Sequence, residues 1–239
     1  MTIALVADLH GNRPAMQALE THLKKAGADR IWCLGDLVGK GPHSDYTFDW
    51  AMANCQVVLG GNWDYGVGFQ EYPNDAFFHR QLGKRRLQAL TELPLEKQLT
   101  LSGRNIRLVH GRPVMHGLLS IQDSREKLAE MLEPDYDVFI YADTHRQGLR
   151  TLGGQVANVG SVGNALGLPM VQFALLCGEP GPEKAPLEIR MMSLPYDNQQ
   201  AARDARDAAG LPFAQAYEHE VLTGNYAGFL RDRSGLPSL

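Results

Sequence analysis

Five short apolar runs, TIALVA, RIWCLG, CQVVLG, NIRLV and DVFIYA, each give way to aspartate, histidine or asparagine beside or near a glycine. Runs of this length and composition are β-rich and read as short strands. The residues that interrupt them are Asp8 and His10, Asp36, Asn62, His110, and Asp143 and His145. In open α/β sheets the carboxyl ends of strands converge on a crevice, so these seven side chains are expected to meet in one place. Gly11, Gly35, Gly61 and Gly111 supply the tight turns such an approach needs.

Helical patterns fill the earlier gaps. Residues 14 to 26 open with Pro14 at a helix start and place Ala15, Leu19, Leu23 and Ala26 on one face. Ser44 reads as the cap of a second helix running to about Asn54, with further helices at 75 to 92 and 120 to 132. The later runs, QVANVG, VQFALLC and LEIRMMSL, are separated only by glycine-rich turns or loops, which suggests antiparallel pairing. EPGPEKAP, residues 179 to 186, is expected to join two hairpin strands. Alternation of strand and helix followed by clustered strands predicts an α/β fold, a four-layer α/β/β/α sandwich of two mixed sheets flanked by helices. The tail from Asp197 reads as an amphipathic helix stopped by Gly210 and a further helix near 212 to 222. The expected organisation is one domain over residues 1–239 with a C-terminal helical extension from about 197 to 239.

Charge and cysteine usage narrow the function. The formal net charge of -4 gives no global basic field, which argues against a nucleic acid duplex as partner, so any phosphate chemistry must be local. No apolar run approaches the roughly 18 residues that cross a bilayer, so no membrane association is expected. MTIALVADLHGN lacks a basic leader and reads as a first strand, which places the protein in the cytoplasm. The three cysteines, Cys33, Cys55 and Cys177, are far apart and apolar-flanked, and read as reduced core thiols.

A lone aspartate at a strand end is usually a turn former, and a lone histidine is usually structural. Seven ligand types at corresponding strand ends, mixing carboxylate, imidazole and amide, instead suit two divalent first-row metals about 3.5 to 4 Å apart.

In their order, D-x-H, G-D, G-N-x-D, H-G and x-x-T-H resemble the calcineurin-like metallophosphoesterase family. DLHGN, GDLVGKGP, GGNWD, VHGRP and NVGSVG are similar to its bacterial phosphodiesterase and diadenosine-polyphosphatase-like branch. The resemblance implies that Asp8, His10 and His145 hold the first metal, that Asp36 bridges, and that Asn62 and His110 hold the second. It also implies that a hydroxide between two divalent ions attacks phosphorus in line. Asp36, Asn62 and Asp64 form the catalytic set it suggests.

Two positions depart from the family pattern. Its G-H-x-H appears as Ala142-Asp143-Thr144-His145, replacing an imidazole on the second metal by a carboxylate. Asp143 as a ligand implies a harder site, favouring manganese or iron over zinc, with Arg112 and Arg146 as guanidinium forks for phosphate. The other departure is Trp63, where many members carry a histidine, oriented by the next Asp, that protonates the leaving oxygen. Indole has no titratable group near neutral pH. Losing a general acid costs about 10²- to 10⁴-fold, mostly with poor leaving groups. Trp63 therefore points to aryl oxides or phosphate chains as leaving groups, and it could also stack on a base or simply plug the loop. Lys40 and His43, after Asp36, are further candidates to line the pocket.

The resulting expectation is a metal-dependent phosphoesterase acting on phosphodiester or phosphoanhydride bonds of a small-molecule phosphate, such as a dinucleoside polyphosphate. A phosphomonoesterase, including a protein Ser/Thr phosphatase, is the second reading. The third is a non-catalytic scaffold, resembling a retromer subunit whose metal site has decayed.

Overall fold

The computed structural model describes residues 1–228. The chain begins with β1 (Thr2–Val6), α1 (Arg13–Ala26), β2 (Arg30–Cys33), α2 (Ser44–Asn54), β3 (Val57–Val58), α3 (Asn62–Gly68) and α4 (Ala76–Thr91). It continues with β4 (Glu96–Leu101), β5 (Arg104–Val109), α5 (Arg125–Ala129), β6 (Val138–Tyr141), β7 (Gly148–Thr151) and β8 (Gln155–Asn158). β9 (Val171–Cys177), β10 (Glu188–Leu194), α6 (Asn198–Asp207) and α7 (Ala214–Thr223) complete the described part. The strands form two mixed five-stranded sheets, ordered β10-β9-β1-β2-β3 and β4-β5-β6-β8-β7.

Strand periodicity explains the layering. Along β1, Ile3 and Leu5 face the second sheet and pack with Leu108, Ile140 and Ala157, while Ala4 and Val6 face the helical layer and pack with Met16 and Leu19 of α1. In β6, Val138 and Ile140 point into the same space between the sheets, and Phe139 and Tyr141 point out to Leu119 and Leu128. Both faces of each strand are covered, so the alternation disappears from the sequence and leaves the continuous runs TIALV and VFIY. This is the expected sandwich, with α1, α2, α4, α6 and α7 contributing to the core on one side and α5 on the other.

β1, β2 and β3 are parallel, as are β5, β6 and β8, so all six point the same way within their sheets. β9 and β10 form the antiparallel pair around the 179–186 loop, with Cys177 opposite Glu188. Antiparallel pairing of the later strands therefore holds for β9 with β10 but not for β8 with β9, since β8 lies in the other sheet and runs parallel to β6. β7 lies between β6 and β8 in sequence, pairs antiparallel at the sheet edge, and lets β8 return parallel to β6. β4 and β7 escape a search for apolar runs because EKQLTL and GLRT are edge strands whose residues largely face solvent.

Three helix expectations shift. The one at 120 to 132 shortens to α5, which Ser124 caps by accepting from Lys127 N, followed by a 3₁₀ turn at Glu130–Leu132. The one at 75 to 92 is interrupted at Gly83, whose φ is 67°. Ser44 is the first residue of α2 and not its cap, because its hydroxyl accepts from Gly39 N and ties down the preceding loop. α6 and α7 bury Ala201, Ala205, Tyr217 and Val221 in the α1 side of the core. The part of the expected extension at 229–239 lies outside the described residues.

Candidate metal centre

The carboxyl ends of the strands carry backbone strain. Among the described residues nine non-glycine residues have positive φ, and five of them are Asp8, His10, Asp36, Asp143 and His145. Such conformations cost about 1 to 3 kcal/mol each and persist only where surroundings enforce them, so their concentration marks a site built at the expense of local stability. The loops are fastened together. Asp8 N donates to Gly35 O at 2.9 Å, His10 N to Asp36 O at 3.2 Å, and Gly163 N to Asp8 O at 2.9 Å.

Three imidazoles are held in one tautomer. His10 Nδ1 lies 3.0 Å from Val38 O, His110 Nδ1 2.9 Å from Leu34 O, and His145 Nδ1 2.7 Å from Asn164 O. A carbonyl only accepts, so each Nδ1 carries a proton and each Nε2 is turned into the centre, where it offers a lone pair to a cation whenever the ring is neutral. Those lone pairs converge. His10 Nε2 and His145 Nε2 are 3.2 Å apart, so neither can donate to the other. His145 Nε2 is 3.3 Å from Asp8 Oδ1, His10 Nε2 is 3.5 Å from Asp36 Oδ2, and His110 Nε2 is 3.4 Å from the same Asp36 oxygen.

The cluster is thus rich in acceptors and poor in donors. Ligand atoms of Asp8, His10, Asp36 and His145 all lie within 4.8 Å of one another, and all four residues are buried. Both Asp8 carboxylate oxygens, His110 Nε2 and Asn62 Oδ1 are buried without a hydrogen-bond partner. Leaving such groups unpaired is expensive, and a cation satisfies all of them at once, so the donor set fits divalent metal. The ionisation equilibria agree. Burial, with Lys40 and His145 nearby, holds His10 well below the usual histidine range. Burial also lowers His110, but Asp36 and Asp8 outweigh it and push that ring up to about 10: the carboxylates demand positive charge.

Asp64 underlies the centre and does not face it. Its Oδ2 accepts from Asp36 N at 2.7 Å and Gly61 N at 2.9 Å, and its Oδ1 from Leu37 N at 2.9 Å. Burial, then the Asp36 charge, raises it to about 7. Trp63 N donates to Asp36 Oδ1 at 2.9 Å, leaving Oδ2 for the two imidazoles. The indole packs edge-on to His10 and Phe78, with ring centroids 5.8 and 6.3 Å away, and lies over Gly39, where a Cβ would overlap it. It is half-buried, and together with Lys40, Pro212, Phe213 and Tyr217 it lines a small cleft beside the centre.

The structure brings Asp8, His10, Asp36, His110 and His145 together, with Asn62 at the start of α3 next to Gly61. Asp143 sits beside them but in the grip of Arg112, whose Nη2 donates to Oδ1 at 2.7 Å and Nε to Oδ2 at 2.9 Å. Arg112 is therefore engaged by a carboxylate and is not an open phosphate fork. Arg146 is exposed, near Gly167. Lys40 Nζ donates to Asn164 Oδ1 at 2.9 Å and comes within 3.5 Å of His145 Nε2. His43 turns away to Asp204 of α6, 3.0 Å distant. Sequence reasoning missed the orienting carbonyls of Leu34, Val38 and Asn164, and also Asn158, whose amide donates to Ala142 O at 2.7 Å and braces the Asp143 turn. NVGSVG was the signal for Asn158 alone, since Asn158, Ser161 and Gly163 all bind the loops that carry the candidate ligands.

A buried set of carboxylates and imidazoles at the strand ends of a two-sheet α/β sandwich makes a candidate site for divalent metal. The chain belongs to the calcineurin-like phosphoesterase superfamily, whose domain model matches residues 1–177. It is 31% identical over 153 residues to an uncharacterized protein of Methanocaldococcus jannaschii, a match spanning 59% of this chain and 58% of the relative's length. Among solved structures, a metallophosphoesterase from Sphaerobacter thermophilus superposes with a TM-score of 0.73 at 22% identity, covering 94% of this chain and 100% of that one. A hypothetical protein from Pyrococcus horikoshii OT3 gives 0.74 at 21% identity, covering 95% and 98%. At these identities the two structures speak for the fold.

Proposed function

We infer that the protein hydrolyses phosphodiester or phosphoanhydride bonds of a small, nucleotide-type substrate at a binuclear divalent centre, manganese or iron being favoured. This is the chemistry of the bacterial phosphodiesterase and diadenosine-polyphosphatase-like branch, carried out in the cytoplasm. The observation that carries it is the buried convergence of Asp8, His10, Asp36 and His145, with ligand atoms within 4.8 Å of one another and both Asp8 oxygens without a hydrogen-bond partner.

Two divalent ions, when bound, polarise phosphoryl oxygens and bring the pKa of a water towards neutrality. Asp8, His10, Asp36 and His145 would hold the first ion, and Asp36, Asn62, His110 and Asp143 the second. Asp64 fixes the turn that carries Asp36, as three backbone donors anchor on its carboxylate. Lys40 stands at the first ion's side with an ammonium for a phosphate oxygen. Trp63 stands in the sequence where the resemblance expects a proton-donating histidine, and an indole has no proton to give near neutral pH, which favours leaving groups of low pKa.

Purified protein with manganese is expected to hydrolyse bis(p-nitrophenyl) phosphate and diadenosine tetraphosphate faster than p-nitrophenyl phosphate, with Asp36→Asn abolishing all three. A strong preference for the monoester would favour the phosphomonoesterase reading. Inactivity on every substrate with metal bound would favour the scaffold.

A further inference from the structure

The carboxylates of the centre divide into two kinds. Both oxygens of Asp8 are buried and unpartnered. Asp143 is the opposite: its Oδ1 accepts from Arg112 Nη2 at 2.7 Å and Nε at 3.2 Å, and its Oδ2 from Arg112 Nε at 2.9 Å and the Arg112 backbone N at 3.2 Å. All four contacts come from three donor atoms of one residue. The Asp143 side chain is 2% exposed and that of Arg112 is 28% exposed, so the carboxylate is fixed while the guanidinium borders solvent. A fork-to-carboxylate pair is among the strongest charge-assisted contacts, and a cation reaching for Asp143 has to break it.

The pairing is set by the fold. β5 and β6 are adjacent and parallel, with Leu108 beside Ile140, so the turns that follow them lie side by side. Gly111 permits the close approach, since a Cβ there would sit 2.6 Å from Asp143 Cβ. Arg112 is then the first residue able to reach across.

We propose that Arg112 competes with the second divalent ion for Asp143, so that the centre loads in order. The first ion enters the Asp8, His10, Asp36 and His145 side. The second is held by Asp36, Asn62 and His110 and gains Asp143 only when the guanidinium swings away. Arg112 thereby acts as a positioning residue that holds the second site weak. The inference rests on the binuclear reading above and adds an asymmetry that reading does not require.

Manganese binding to the full chain, followed by equilibrium dialysis with elemental analysis, reads this directly without any turnover. Wild type is expected to show two classes of ion whose dissociation constants differ at least tenfold. Arg112→Met should tighten the weaker class at least tenfold, and Arg112→Lys, which keeps the charge but loses the fork, should fall between. Asp143→Asn combined with Arg112→Met should erase the gain, because the tightening runs through that carboxylate. If Arg112→Met does not fold, as judged by circular dichroism, Arg112→Lys with and without Asp143→Asn carries the same comparison. Two equal ions in wild type, or no tightening on loss of the fork, would overturn the ordered loading and leave the binuclear reading intact. Absence of bound ion in every form would overturn both.

Discussion

Gly61→Ala adds one methyl group and removes no ligand, which makes it a sharp probe of how tightly the centre is built. A Cβ at Gly61 would overlap Asp36 Oδ1, lie 2.7 Å from Asp36 N and 2.8 Å from His110 Cδ2. Ordinary contact begins near 3.4 Å, so the turn carrying Asp36 has to yield by about 0.7 Å in a packed interior. That movement strains the Asp36 N–H bond to Asp64 and displaces Asp36 from His110. Overpacking of this kind destabilises by about 1 to 3 kcal/mol, and disturbing the partners that aim metal ligands typically lowers affinity about 10- to 100-fold. Urea unfolding in chelator reads the first effect and manganese titration the second. Gly66→Ala is the control: it lies in α3 with its nearest atom, Tyr72 Cε2, at 3.4 Å, so it should be neutral or stabilising by up to about 1 kcal/mol. Gly61→Ala that binds manganese as wild type does and unfolds at the same urea concentration would refute the tight-packing account.

Metal removal should lower stability, because ions that bind only the folded chain contribute about 2.7 kcal/mol at a hundredfold excess over Kd. Asp8→Asn should make unfolding midpoints with manganese and with chelator coincide. Trp63→Ala should cost about 2 to 3 kcal/mol by emptying the space between His10, Phe78 and Gly39, measured by chemical denaturation; a raised KM for nucleotides with unchanged turnover on an aryl ester would add stacking to packing. Asp75 is buried and its carboxyl is pushed up to about 6 by that burial. The folded chain then binds the proton more tightly than the unfolded one, so this group's contribution to stability falls as pH rises from about 4 to 6. Asp75→Asn should therefore leave stability unchanged at pH 4 and raise it by up to about 3 kcal/mol at pH 7; equal effects at both pH values would rule this out.

Much of the site is legible in the sequence because its ligands interrupt apolar runs. TIALVA must be buried, and Asp8 and His10 directly after it have no reason to be there unless something compensates them. The same holds for Asp36 after RIWCLG and His110 after NIRLV. Parallel strands then place these ends on one edge, so order along the chain becomes proximity in space. The two edge strands of the second sheet, β4 and β7, stay hidden because they are half-exposed and lack an apolar signature.

What the sequence determined by itself was the sandwich class and the residues able to bind metal, since both follow from local chemistry and burial. Only tertiary structure decided what those residues face. Three carbonyls, Leu34, Val38 and Asn164, select the tautomer of each histidine, and a backbone carbonyl leaves no trace in residue identity. α6 and α7, distant in sequence, close around the Gly39–His43 loop through Asp204 and Tyr217. Arg112 and Asp143, 31 residues apart, become a pair because β5 and β6 are neighbours in parallel register. A strand's own residues specify that it forms, but its register against another is a property of the packed pair, and that register turns a candidate ligand into a contested one.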